Sequence, residues 1–129
     1  MMFEERPFLG TIDQRLEADR VSVVVTLGWA EEMYEGHAEG PSDTTQRARL
    51  VGEATLRAVE AMSAGRARYD LTAVGTSDLG PVKIALVQVR EVGWSDYLIG
   101  SALIREGDPA SATAKAVLDA LNRRISRVL

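Results

Sequence analysis

Aliphatic and polar residues alternate in the first third of the chain. Aliphatic side chains stand at every second position from residue 21 to 27, namely at Val21, Val23, Val25 and Leu27. Such alternation is typical of a β-strand that buries one face. Residues 28–32 supply a turn, so residues 33–39 are predicted to return as the second strand of a hairpin. Residues 8–16 are predicted to form a further strand.

Two later segments show a helical spacing of apolar residues. The first follows the break Gly40-Pro41-Ser42-Asp43 and ends near Gly65, a residue type common at helix C-termini; its apolar positions are Leu50, Ala54, Ala58, Ala61 and Met62. The second is predicted to begin at Pro109. Asp108 is its expected cap, because a carboxylate accepts a hydrogen bond from an unpaired backbone N–H. Its apolar stripe contains Ala114, Val117, Leu118, Leu121, Ile125 and Val128.

Three more strands are predicted between the helices. They cover residues 69–74, 82–92 and 97–104, with a turn-rich connection over residues 75–81. The middle strand is apolar on both faces over Ile84-Ala85-Leu86-Val87, which is typical of a central strand buried on both sides.

The two halves of the chain resemble each other. Leu27-Gly28-Trp29-Ala30-Glu31 aligns with Val92-Gly93-Trp94-Ser95-Asp96, which places both tryptophans in equivalent turns. Gly36 aligns with Gly100, and the helical segment 54–59 aligns with 116–121. The sequence therefore predicts an α+β fold of two pseudo-twofold-related βββα units, whose antiparallel sheets are covered by two helices.

This pattern also predicts the organisation of the protein. We expect a single domain over residues 1–129, made of a loose arm (1–7), a first unit (8–65) and a second unit (66–129). The helices of such a fold cover one side of the sheet, so a second sheet or a second subunit must cover the other. A homodimer is therefore expected.

Composition and charge exclude several classes of protein. The chain has 129 residues and no cysteine, which excludes a disulfide framework, a thiol nucleophile and a thiolate metal site. Its formal net charge of −4 argues against a nucleic-acid partner. No apolar run approaches the ~20 residues of a membrane helix, and the first residues lack a signal-peptide core. We expect a cytoplasmic protein with no membrane partner.

Candidate catalytic residues are few. His37 is the only histidine, and a triad with Ser42 and Asp43 is awkward within one loop because triads assemble from distant segments. Glu35 and Glu39 lie on the same strand and give His37 too few partners for a metal site. We therefore expect no enzyme activity, metal or cofactor, with a base role for His37 as the open alternative. A double-stranded-RNA module is disfavoured because Asp108 replaces the basic cluster of its last helix.

Several short motifs, taken together, resemble one family. They are Gly40-Pro41-Ser42-Asp43, Tyr69-Asp70-Leu71-Thr72-Ala73-Val74, the spaced Tyr97, Gly100 and Asp108, and Ala120-Leu121-Asn122-Arg123. From residue 21 to 124 the pattern resembles the C-terminal regulatory (dimerisation) domain of α-isopropylmalate synthase and citramalate synthase. The resemblance implies feedback binding of a small amino acid, not the condensation chemistry of the catalytic barrel.

The resemblance also implies a ligand site, formed by Gly40, Pro41, Asp43, Gly100 and Asp108. Helix N-termini would bind a carboxylate and the aspartates an ammonium group. The structural alternative is that the aspartates cap helices and the glycines allow close packing or positive φ.

Two functions are therefore open. The first is a non-catalytic regulatory module that binds a branched-chain amino acid or related acid and acts on a partner enzyme. The alternative is a ligand-free interaction or dimerisation module, with Trp29 and Trp94 as partner contacts.

Overall fold

The computed structural model describes residues 6–128, without the side chains of residues 45 and 123–128. Its elements are β1 (Phe8–Glu17), β2 (Arg20–Trp29), β3 (Glu32–Pro41), α1 (Thr44–Met62), β4 (Tyr69–Leu79), β5 (Val82–Glu91), β6 (Tyr97–Leu103) and α2 (Pro109–Val128). β1–β2–β3 form one antiparallel sheet and β4–β5–β6 form a second. The predicted α+β fold with two βββα units is confirmed. Residues 1–5 of the predicted arm, and the side chains of Ile125 and Val128, lie outside the described parts.

Each helix packs on the inner face of its own sheet. α1 contacts β2 and β3, α2 contacts β5 and β6, and the two helices contact each other. The side chains buried between them come from both units and include Val25, Leu56, Val87 and Leu121. We call the opposite side of each sheet, away from the helices, its outer face.

One glycine in each unit brings a strand against a helix. A Cβ atom at Gly36 of β3 would overlap the backbone of α1 at Ala54 and Ala58. A Cβ atom at Gly100 of β6 would overlap the backbone of α2 at Ala116 and Ala120. These are the residues that the sequence alignment of the two halves equates. The pseudo-twofold relation between the units stays a prediction.

The strand register corrects one part of that alignment. Gly36 pairs with Val25, and Gly100 pairs with Val87. Trp29 follows Val25 by four residues and ends β2, whereas Trp94 follows Val87 by seven residues and lies beyond β5. The tryptophans are therefore not at equivalent positions, because the second unit has a longer connection.

Polar side chains of α1 join the two units at the free edge of β4. Arg57 donates a hydrogen bond to the carbonyl oxygen of Tyr69 (2.8 Å), and the Tyr69 N–H donates to the carboxylate of Glu60 (3.0 Å). Arg57 and Glu60 also form an ion pair of 3.1 Å. Arg49 donates to the carbonyl oxygen of Leu71 (3.0 Å). These side chains satisfy backbone groups that an edge strand would otherwise leave open.

Candidate functional site

The outer face of the second sheet is apolar and exposed. Residues that pair directly in an antiparallel sheet point to the same side. At the end of the sheet where β6 begins, the register places Asp70, Arg90 and Tyr97 on this side. Beyond them lies a set of eleven uncharged residues, Ala73, Gly75, Ser77, Leu79, Val82, Ile84, Leu86, Gln88, Ile99, Ser101 and Leu103. We call this set the apolar face. Leu79 is 71% exposed, Ile99 62% and Leu103 44%, while Ile84 and Leu86 are half-buried. The prediction that β5 is buried on both sides is therefore wrong within a single chain.

The outer face of the first sheet has the opposite character. Polar residues predominate in the set that we call the polar face, which is Thr11, Asp13, Arg15, Ser22, Val24, Thr26, Glu35, His37 and Glu39. At one end of this sheet Phe8 and Met33, which both pair with Gly28, also lie on the outer side and are 59% and 55% exposed. Val25 and Val87 occupy equivalent positions, because each pairs with the glycine that approaches the helix of its unit. The positions of the two outer faces can therefore be compared one by one. Glu35 and Glu39 of β3 correspond to Ile99 and Leu103 of β6.

This comparison is an internal control. Both sheets belong to one chain, have three strands and carry a helix on the inner face. A sheet with one face in water keeps polar residues there, as the first sheet does over most of its length, with Phe8 and Met33 as apolar exceptions at one end. The apolar residues of the second sheet are not needed for that architecture, and an apolar patch of this kind marks an interaction surface.

The residues of the predicted ligand site belong to different elements of the two units. Gly40 is buried against Leu50 at the end of β3, next to Pro41. Asp43 precedes α1, and its backbone carbonyl accepts a hydrogen bond from Gln46 (3.0 Å). Gly100 is in the middle of β6 and contacts α2 two turns beyond its start.

Asp108, a member of the predicted site, lines a cleft. The cleft has a volume of about 270 Å³ at the start of α2, and its lining residues are Leu103, Arg105, Glu106, Asp108, Ser111, Ala112 and Lys115. Asp108 caps the helix, accepting hydrogen bonds from the Ser111 hydroxyl (2.7 Å) and backbone N–H (3.1 Å). These hydrogen bonds, the hydroxyl first, lower the pKa of the Asp108 carboxyl, and the nearby charge of Lys115 adds to the effect.

The remaining candidate residues are Trp29, Trp94 and His37, which differ in burial. Trp29 is half-buried and packs against the core, whereas Trp94 is 54% exposed. His37 lies on the polar face and contacts the carboxylate of Glu35 at 3.3 Å. The strand thus turns His37 away from the helices and toward solvent.

Within residues 6–128, no group of three or more His, Cys, Asp or Glu side chains is arranged to hold a metal ion. Nor does either helix, as far as it is described, have the length and apolar content needed to cross a membrane.

The register, not the motifs, identifies the strongest candidate surface. The sequence signal for it is the two-sided apolar pattern of β5 together with Ile99 and Leu103. From the sequence alone that pattern indicates burial inside the chain. No protein-family model matches the sequence, and no curated protein matches it.

Proposed function

We propose that this chain is a cytoplasmic, non-catalytic interaction module that binds another protein through the apolar face. The observation that carries the proposal is the contrast between the two sheets. Burying one Leu or Ile side chain contributes about 1.5–3 kcal/mol. Several such side chains lie together on the apolar face, whereas most of the equivalent positions on the polar face hold polar residues.

Capture of a partner protein tests this function. Ile99→Glu places on β6 the residue type that β3 has at the equivalent position, and because Ile99 is exposed we expect the variant to fold. A carboxylate buried without a partner costs several kcal/mol at an interface. We expect tagged wild-type protein to retain a partner from an extract of the source cells, and Ile99→Glu to lose it by at least tenfold.

The matched control is Thr11→Glu. It adds the same charge to an exposed position of an edge strand, on the polar face. Partner retention should be unchanged in this variant. Equal retention by wild type, Ile99→Glu and Thr11→Glu would show that the apolar face binds no protein.

A second candidate function is the binding of a small metabolite that regulates a partner enzyme. The cleft at the start of α2 supports it, since Arg105 and Lys115 are suited to a carboxylate and Glu106 and Asp108 to an ammonium group. A branched-chain amino acid carries both charges and an apolar side chain. Leu103 lines the cleft and belongs to the apolar face, so a bound metabolite would lie beside the docked protein.

Asp108→Ala tests this second function. Without ligand we expect a loss of about 1 kcal/mol at neutral pH, as is typical for a helix cap. The folded pKa of Asp108 is lowered, so the capping contribution is complete above the ordinary carboxyl pKa of about 4 and is lost as the pH falls through the lower folded value. Urea titrations at pH 7 and in acid measure both effects.

A ligand screen completes the test. Leucine or isoleucine at 100 times its Kd would stabilise the wild type by about 2.7 kcal/mol, a rise of several degrees in Tm. Asp108→Ala should abolish the rise, while Asp43→Ala, which alters the start of the other helix outside the cleft, should keep it. If no branched-chain amino acid or 2-oxo acid raises Tm, this second function is wrong.

A further inference from the structure

We infer that the protein docked on the apolar face is a second copy of this chain, related by a twofold axis that runs parallel to β5. The inference rests on the proposed function and names its partner. Three properties of the face support it: its charge, its pattern of side-chain sizes and its dimensions.

The apolar face carries no charge. None of its eleven residues is acidic or basic, although the chain has 15 basic and 19 acidic residues. At one end of the same side, Asp70 and Arg90 pair in register as one acid and one base, so a strongly charged partner surface would find no net complementary charge here. Interfaces between identical subunits are more apolar than others and depleted of charge at their centre. The same face of a second copy is an apolar, uncharged surface of the required kind.

The sizes of the side chains make the face complementary to itself. On β4 it carries the small residues Ala73, Gly75 and Ser77, and no atom lies near the position of a Gly75 Cβ. On β6 it carries Ile99 and Leu103 on either side of a small serine. A twofold axis parallel to β5 lays β4 of one copy opposite β6 of the other.

Small residues then face large ones on both sides of the axis. Ala73 pairs in register with the β5 residue Gln88, as does Ile99, so the axis sets Ile99 of one copy over Ala73 of the other. Ser77 and Leu103 meet in the same way, through their shared partner Ile84. Stacked antiparallel sheets pack in this manner, with their strands within about 30° of each other.

The dimensions of the face suit a modest dimer interface. Three strands spaced by roughly 4.8 Å and about ten residues with a rise of roughly 3.3 Å cover a projected area of about 450 Å². The accessible surface of protruding side chains exceeds such a flat projection, and a standard interface buries ~800 Å² of accessible surface per partner.

Sedimentation velocity over a wide range of protein concentration measures the association. We expect wild-type protein to reach twice its monomer mass of 14.0 kDa. Ile99→Glu should weaken the association at least tenfold while keeping the wild-type circular dichroism spectrum. Thr11→Glu should associate like the wild type.

Cross-linking tests the position of the axis. Leu86 lies on β5 and would face Leu86 of the second copy across the axis. The chain contains no cysteine that could react in its place. Leu86→Cys should therefore give covalent dimers with a short bismaleimide. Val24→Cys, at the equivalent position of the polar face, should give at least tenfold fewer.

The outcomes separate this inference from the proposed function. The wild-type protein could stay monomeric at all concentrations while Ile99→Glu loses a different captured protein. That result would overturn the inference that the partner is a second copy and would keep the proposed interaction module. If the protein is monomeric and Ile99→Glu captures the same proteins as the wild type, both the second copy and the interaction module are overturned. A dimer that Ile99→Glu leaves intact, or equal cross-linking at positions 24 and 86, overturns the apolar face as its interface.

Discussion

Gly36→Ala and Gly100→Ala are each expected to destabilise the protein by about 3 kcal/mol or more, the upper end of the cost of overpacking. In both cases the added methyl group would overlap backbone atoms of the facing helix, at Ala54 and Ala58 or at Ala116 and Ala120. A side chain can move to another rotamer, but a helix backbone moves only if the helix shifts as a body. Chemical denaturation in urea measures the loss.

Gly75→Ala is the matched control for these two variants. Gly75 also lies in a strand, but its φ is not positive and no atom lies within 4 Å of the position that a Cβ atom would take. Removing a strand glycine there should leave stability unchanged or raise it by about 0.4–1 kcal/mol. All variants are compared at one low protein concentration, so that association does not contribute. A cost below about 1 kcal/mol for Gly36→Ala and Gly100→Ala would contradict the close approach.

Local sequence patterns predict most of the helices and strands, but they end β4 too early. Residues 75–81 contain two glycines and a proline, a composition that predicts a turn-rich connection. The turn occupies only Gly80 and Pro81, because Gly75, Ser77 and Asp78 pair with β5 and continue β4 to Leu79. Pairing with a neighbouring strand outweighs weak local propensity. A single-sequence pattern does not contain that information.

The candidate surface is predictable only in part. The consecutive apolar residues Ile84-Ala85-Leu86-Val87 show that both faces of β5 are apolar, but burial of the outer face depends on what else the chain places there. The residues implied by family resemblance illustrate the same limit. Gly100 and Asp108 are close in sequence, yet Gly100 packs against the middle of α2 while Asp108 caps its start. Their separation depends on the three-dimensional path of the chain.

The second large effect is expected for Glu60, whose carboxylate connects the two units. Its side chain is 15% exposed, accepts a hydrogen bond from the Tyr69 N–H and forms an ion pair with Arg57. Glu60→Ala leaves both donors without this acceptor. Hydrogen bonds to charged groups contribute about 1.5–3 kcal/mol each, and a polar group left unsatisfied near the interior adds to the loss. We expect Glu60→Ala to destabilise the protein by about 2–3 kcal/mol, as measured by urea denaturation.

Glu53→Ala separates this effect from the loss of any glutamate on α1. Glu53 also pairs with an arginine, Arg49, at 3.5 Å, but its side chain is 40% exposed and the pair is spaced i,i+4 on the helix surface. Such pairs contribute about 0.3–0.5 kcal/mol, so Glu53→Ala should change stability little. Glu60→Gln keeps an acceptor for Tyr69 and loses only the charge, so its cost should lie between the two. If urea denaturation gives Glu60→Ala and Glu53→Ala the same stability, then α1 does not hold β4 through Glu60, and apolar packing and the arginine hydrogen bonds join the units.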